Sequence, residues 1–203
     1  MMINTRRIAL TLGVLAATTL SQAAPTTFKI GGGTPAQQIA TVESVTDFET
    51  FTGRTDDVKG TLVFDPIKKT GSGSLQISVA KIDTGIPLRN EHMMAGQWLD
   101  AAKYPTINFE TTSVKSMGGD RYSVTGKFTM KGVTKSLTTT ATVKHLKASD
   151  ATRKANFKGD VLQVKTSFKV KLSDFGITIS GPATGKVSNT VTISTTVYAQ
   201  SGS

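Results

Sequence analysis

The chain of 203 residues contains no cysteine. That absence excludes disulfide staples, thiolate metal sites and a cysteine nucleophile, so packing and sheet hydrogen bonds must hold the fold. Histidine is scarce, with His92 and His145 the only two, and no HExxH, GxSxG or phosphate-loop pattern occurs. Ser78-Val79-Ala80-Lys81 spells SxxK, but that chemistry needs a helical turn and these residues read as a period-two strand. Acids are outnumbered by bases, 14 to 24. Aromatics make up 6% of residues, with a single tryptophan, Trp98. Past the N-terminus no apolar run is long enough to cross a bilayer as a helix.

At the N-terminus, Arg6 and Arg7 precede an apolar run from Ile8 to Leu20, and Ser21-Gln22-Ala23 supplies small residues for cleavage. Residues 1–23 are therefore expected to be a secretory signal peptide, leaving residues 24–203 as one domain. The leader takes two arginines and no acid with it, so residues 24–203 carry a net charge of +8. Such a balance suits anionic partners. Export argues against nucleic acid, and the lysines are dispersed, which leaves an anionic lipid surface, a ligand with a phosphate head, or simply a solvated exterior.

The remainder reads as short β-strands. Tyr122, Val124, Gly126, Phe128 and Met130 alternate with polar residues, as do Val164, Thr166, Phe168 and Val170, and Val191, Ile193, Thr195 and Val197. The six prolines fall at strand ends or in loops. About eight to ten strands without interleaved helices predict an antiparallel sandwich or barrel. Inward positions mix Phe109, Phe128 and Phe168 with Thr111, Gly126, Thr139 and Thr166. Two readings follow: a hollow interior that takes one slender ligand, or the taper of a filled barrel.

Only Ile82 to Phe109 breaks the strand rhythm. It leaves a strand at Ile82, and Asn90 is placed to cap a short helix over 91–101. Met93, Met94, Trp98 and Leu99 form either a deformable apolar mouth or an ordinary dock onto the barrel end. Arg89 and His92 either meet a ligand's head group or stand in solvent. His145 reads as an ordinary strand residue. Asp174 is either a pocket carboxylate or a turn residue bonding its own backbone. An acid–base pair of His92 and Asp174 would be required for an enzyme of lipid chemistry.

At this point the motifs resemble a known family. Gly60 to Pro66 (GTLVFDP), Asp83-Thr84-Gly85, Arg89-Asn90-Glu91-His92-Met93, Trp98-Leu99-Asp100 and Lys103 to Phe109 are similar to the central signature of the YceI-like family. Val124 to Met130, Gly132 to Lys135 and Ser173 to Ile177 follow in the family's order. The resemblance implies an all-β, extended lipocalin-like antiparallel barrel of about eight strands with one short helical segment. It further implies a non-enzymatic periplasmic protein that binds a polyisoprenoid or related long-chain lipid, isoprenoid quinones included. No cofactor is expected beyond that non-covalent ligand.

The expected ligand-binding residues are Ile77, Val79, Phe109, Phe128 and Phe168 along the lumen, Arg89, His92 and Trp98 at one opening, and in addition Tyr104, Asp174 and Phe175. The chain departs from the family pattern in several places. Ile39 to Phe51 has no histidine, Asn90 replaces an aspartate, Met94 and Ala95 replace basic and hydroxyl residues, Trp98-Leu99 replaces a Phe-Phe pair, and Leu172 replaces an arginine. These changes make the mouth less polar and favour a quinone, free isoprenoid or fatty amide over a pyrophosphate. The other expectation is an envelope-stress interaction protein with a filled barrel and a basic surface. Whether the chain forms a homodimer is open.

Overall fold

The computed structural model describes residues 24–31 and 37–202; the expected signal peptide lies outside the described residues. Ten strands form one antiparallel sheet: β1 (Thr26–Ile30), β2 (Ile39–Val45), β3 (Thr50–Thr55), β4 (Val58–Asp65), β5 (Thr70–Ser78), β6 (Thr106–Ser116), β7 (Arg121–Met130), β8 (Val133–Leu146), β9 (Val161–Lys171) and β10 (Thr190–Gln200). The ring runs β1-β4-β5-β6-β7-β8-β9-β10, and Lys29↔Gln200 and Ile30↔Ala199 close it. The C-terminal end of β10 pairs with β1, while its N-terminal half pairs with β2, Thr192 to Thr196 against Glu43 to Ile39. β1 and β2 thus serve as one broken stave and β4 and β3 as another. The result is a closed antiparallel barrel of eight staves.

Period-two alternation fixes which side chains enter the lumen. Cross-strand pairs such as Leu75↔Phe109, Phe109↔Phe128, Phe168↔Ile193 and Ile193↔Val42 carry the apolar face around the ring. Gly126 shows why a small residue interrupts that face. A Cβ there would lie 2.4 Å from the Phe109 ring and 2.5 Å from the Glu110 carbonyl oxygen. The β6 register shifts beside it, between Thr111 and Ser113. The Lys131-Gly132 turn between β7 and β8 takes φ of 50° and 74°, the mirror-image geometry that suits a two-residue hairpin.

The interior divides into two apolar clusters. At the lower end Phe28, Phe64, Tyr122, Leu162 and Val197 are buried together and close the floor. Tyr122 stands edge-on to Phe64, and desolvation holds its phenol above the ordinary value. At the same end His145 Nε2 lies 2.9 Å from Asp160 Oδ2 and edge-on to Phe28. The backbone N–H of Ala148 and the His145 ring hold the Asp160 carboxyl below its usual value, against desolvation. His145 is thus a strand residue with a definite structural partner.

The upper cluster includes Val79, Ile82, Leu99, Phe128, Phe175 and Ile177. Here several expectations are corrected. β5 ends at Ser78, and Val79–Lys81 forms a 3-10 turn that buries Val79 in the wall. The SxxK residues therefore lie at a strand end and its turn, with Lys81 exposed. The helix begins earlier and ends sooner than expected: α1 spans Pro87–Met94, with Pro87 at its first position. Proline needs no amide partner there and its fixed φ starts the helix, so Asn90 is inside it and caps nothing. Between β8 and β9 lies α2 (Asp150–Lys154), which Ser149 and Thr152 cap reciprocally.

Candidate functional site

The barrel wall parts where β3 and β5 diverge. β3 pairs with the segment after β5 through reciprocal backbone hydrogen bonds between Arg54 and Asp83, of 2.7 and 2.8 Å. Residues 79–105 fill that gap and roof the opening. Asp83 organises the roof: its carboxylate accepts from Asn90 Nδ2 at 2.7 Å and from the Gly85 N–H at 2.9 Å. These donors, Asn90 foremost, hold its carboxyl below the usual range. Asn90 Oδ1 in turn accepts from the Thr84 N–H and hydroxyl, at 2.9 and 2.7 Å. Asn90 therefore pins the loop to the helix and does not face a ligand.

Beneath the roof lies a cavity of about 560 Å³. Its walls come from β2 and β3 (Val42, Phe51), from β10 (Val191, Ile193), from the 172–187 connection (Ile177, Val187) and from the roof itself (Ile82, Met93, Trp98, Leu99). A smaller hollow of about 120 Å³ lies deeper, walled by Phe109, Val124, Thr139, Thr166, Phe168 and Thr195 among others. Ile77, Ile107, Phe128 and Ile193 border both spaces.

Of the expected residues, Ile77, Arg89, His92, Trp98 and Phe128 line the large cavity. Phe109 and Phe168 line the lower hollow. Four others line neither. Val79 is in the wall, and Phe175 is buried edge-on against Phe128 with ring centroids 5.5 Å apart. Tyr104 covers Gly132, where a Cβ would come within 2.5 Å of its ring. Asp174 is exposed, because the 3-10 turn Leu172–Phe175 buries its first and last residues and turns the middle two outward. It does not meet His92, which belongs to the cavity mouth, and His145 stands at the opposite end of the barrel. Among the described residues no group of His, Asp and Glu is placed to hold a metal.

The mouth contains a charge arrangement that sequence spacing did not reveal. Arg89 Nη2 donates to Glu49 Oε1, and its guanidinium lies 4.4 Å from the centre of the Phe51 ring. The two charged side chains are 25% and 31% exposed, so they are partly shielded and neutralise one another. Glu49 is 40 residues from Arg89 and reaches it only because β2 and β3 fold over the opening. The alternation of Phe51 with its neighbours was the one available signal. Around this pair Phe48, Ile86 and Leu88 are solvent-exposed, Phe48 at 85%.

A YceI-like domain profile matches residues 25–199. This chain belongs to the YceI-like family. A UPF0312 protein of Azotobacter vinelandii is 34% identical over 134 residues, 64% of this chain and 66% of the relative. Protein YceI of Salmonella arizonae is 33% identical over 140 residues, 66% of this chain and 68% of the relative. The crystal structure of Burkholderia cenocepacia BcnA superposes with a TM-score of 0.69 at 26% identity, covering 83% of this chain and 99% of that one. The Campylobacter jejuni YceI protein superposes at 0.64 with 22% identity, covering 74% and 85%, and shares the fold. The YceI-like chain is thus a barrel of the binding type.

Proposed function

We propose that this YceI-like protein is a periplasmic carrier that holds one long-chain, neutral-headed lipid, an isoprenoid quinone, free isoprenoid or fatty amide, in the upper half of its barrel. The observation that supports this reading is the 560 Å³ cavity with apolar walls under a roofed opening. A cavity of that size is in the range that encloses most of a drug-sized molecule. Burial is worth about 0.8 kcal/mol per methylene, so about ten of them supply ~8 kcal/mol before costs, near micromolar affinity. No strong polar contact is needed. The filled-barrel alternative fits only the lower half of the interior.

The Arg89–Glu49 pair supports a neutral head group. An arginine already matched by a carboxylate and stacked on Phe51 offers little to a phosphate, and Glu49 repels one. The exposed Phe48, Ile86 and Leu88 beside Lys186 at the mouth suit collection of the lipid from an anionic membrane surface.

Trp98 is the only tryptophan and lines the cavity, so its emission reports occupancy. Titration of lipid-stripped protein with farnesol should shift Trp98 emission and saturate. Glu49→Gln frees the guanidinium, and the preference for farnesyl phosphate over farnesol should rise about tenfold, near 1.4 kcal/mol. An unchanged preference would refute the neutral-head reading. A tryptophan signal that answers neither compound would refute lipid holding itself.

A further inference from the structure

Resting on the lipid-holding reading, we propose that Phe128 is a fixed stop that sets the length of the hydrocarbon chain this protein accepts. The two internal spaces are successive along the lumen and meet at a collar formed by Ile77, Ile107, Phe128 and Ile193, which border both. Ile77 and Ile107 are directly paired across β5 and β6. Phe128 follows on β7, and Ile193 stands on β10 across the barrel. Phe128 is the bulkiest of the four, and it is 4% exposed.

Its ring is clamped. Phe168 meets it edge-on at 5.7 Å and Phe175 at 5.5 Å. Each such pair is worth about 0.5–1.5 kcal/mol beyond burial, so rotation of the ring would forfeit two of them. A clamped ring is a floor, not a swinging gate. Beneath it the lower hollow is far smaller than the cavity above and has no charged residue in its lining. Thr139 and Thr166 face each other there with hydroxyl oxygens 3.0 Å apart. Thr166 also donates to the Thr140 carbonyl at 3.1 Å. Those hydroxyls are satisfied by the protein and need no ligand. The collar therefore separates a large space that reaches the mouth from a small one below it, and the clamped ring stops the chain end between them.

The test offers the lipid-stripped protein an equimolar ladder of prenyl alcohols, from geraniol upward, and reads bound lengths by native mass spectrometry. The wild-type protein should show a length cut-off beyond which occupancy falls at least tenfold. Phe128→Ala joins the two spaces, and the cut-off should move to longer chains by about one isoprene unit or more. Phe128→Leu, which keeps a large apolar side chain in the core, should move it the same way and serves if the alanine variant does not fold. Val124→Ala enlarges only the lower hollow, behind the stop, and should leave the cut-off unchanged. A cut-off that stays put in both Phe128 variants, or that Val124→Ala moves equally, overturns the stop while leaving lipid binding intact. A wild-type protein that takes no prenyl alcohol of any length overturns both.

Discussion

Val42→Trp is expected to abolish lipid uptake while leaving the barrel folded. Val42 is on β2 between Gly53 of β3 and Ile193 of β10, and it lines the large cavity. An indole at that position projects into the hollow instead of displacing packed neighbours, so the usual cost of overpacking, about 1–3 kcal/mol, is largely avoided. It fills the space that a chain's first methylenes would take. Losing about four of those contacts at ~0.8 kcal/mol each costs roughly 3 kcal/mol, more than a hundredfold in affinity. Val42→Ala widens the same wall and should bind at least as well as the wild type. Trp98 emission cannot be used with a second indole present, so native mass spectrometry is the readout. Undiminished loading of Val42→Trp would place the ligand elsewhere.

The largest stability effect is expected at Gly60. This residue pairs with Leu75 across β4 and β5 with φ of 155°. A Cβ there would lie 2.0 Å from the Ser74 carbonyl oxygen. That obstacle is backbone of the neighbouring strand, which yields only by opening the ladder. Gly60→Ala should cost about 3 kcal/mol, a drop in Tm of ~6–12 °C for a chain of this size. Gly96 provides the contrast: its nearest neighbour would be the Asp100 carboxyl carbon at 4.0 Å, and its φ is not positive. Gly96→Ala should change stability by no more than about 0.5 kcal/mol. Equal melting of the two variants would show that β4 and β5 are not held as closely as described.

These two glycines mark how far the sequence could be read. Alternation along Tyr122 to Met130 and along Val164 to Val170 announced the strands, because a period of two is a local property and one buried face enforces it. The GTLVFDP run carried part of the family resemblance. The need for glycine at its first position was not legible, since it comes from a carbonyl on another strand. The same distinction runs through the site. Trp98 and His92 could be placed at the mouth because the break in strand rhythm around them is local. Glu49 and Phe51 could not be joined to Arg89, because only the fold of β2 and β3 over the opening brings them together.

Val79, Asp174 and the helix bounds were misread for a related reason. Short 3-10 turns at Val79–Lys81 and Leu172–Phe175 replace the period of two by a period near three. Strand alternation carried through Val79 therefore points it into the lumen, whereas the turn buries it in the wall. In the second turn Leu172 and Phe175 claim the buried side and leave Asp174 to solvent. Pro87 was visible as a loop residue, yet its more telling role is as the first residue of α1.

The central claim is that the upper lumen shelters a hydrocarbon chain from water, and native mass spectrometry of protein isolated from its own cells tests it most directly. The account predicts a single non-covalent adduct of neutral, long-chain lipid, present in the wild type, absent from Val42→Trp and identifiable after extraction. Wild-type protein that emerges without lipid, and that stays empty when quinones, prenyl alcohols and fatty amides are offered, would contradict it.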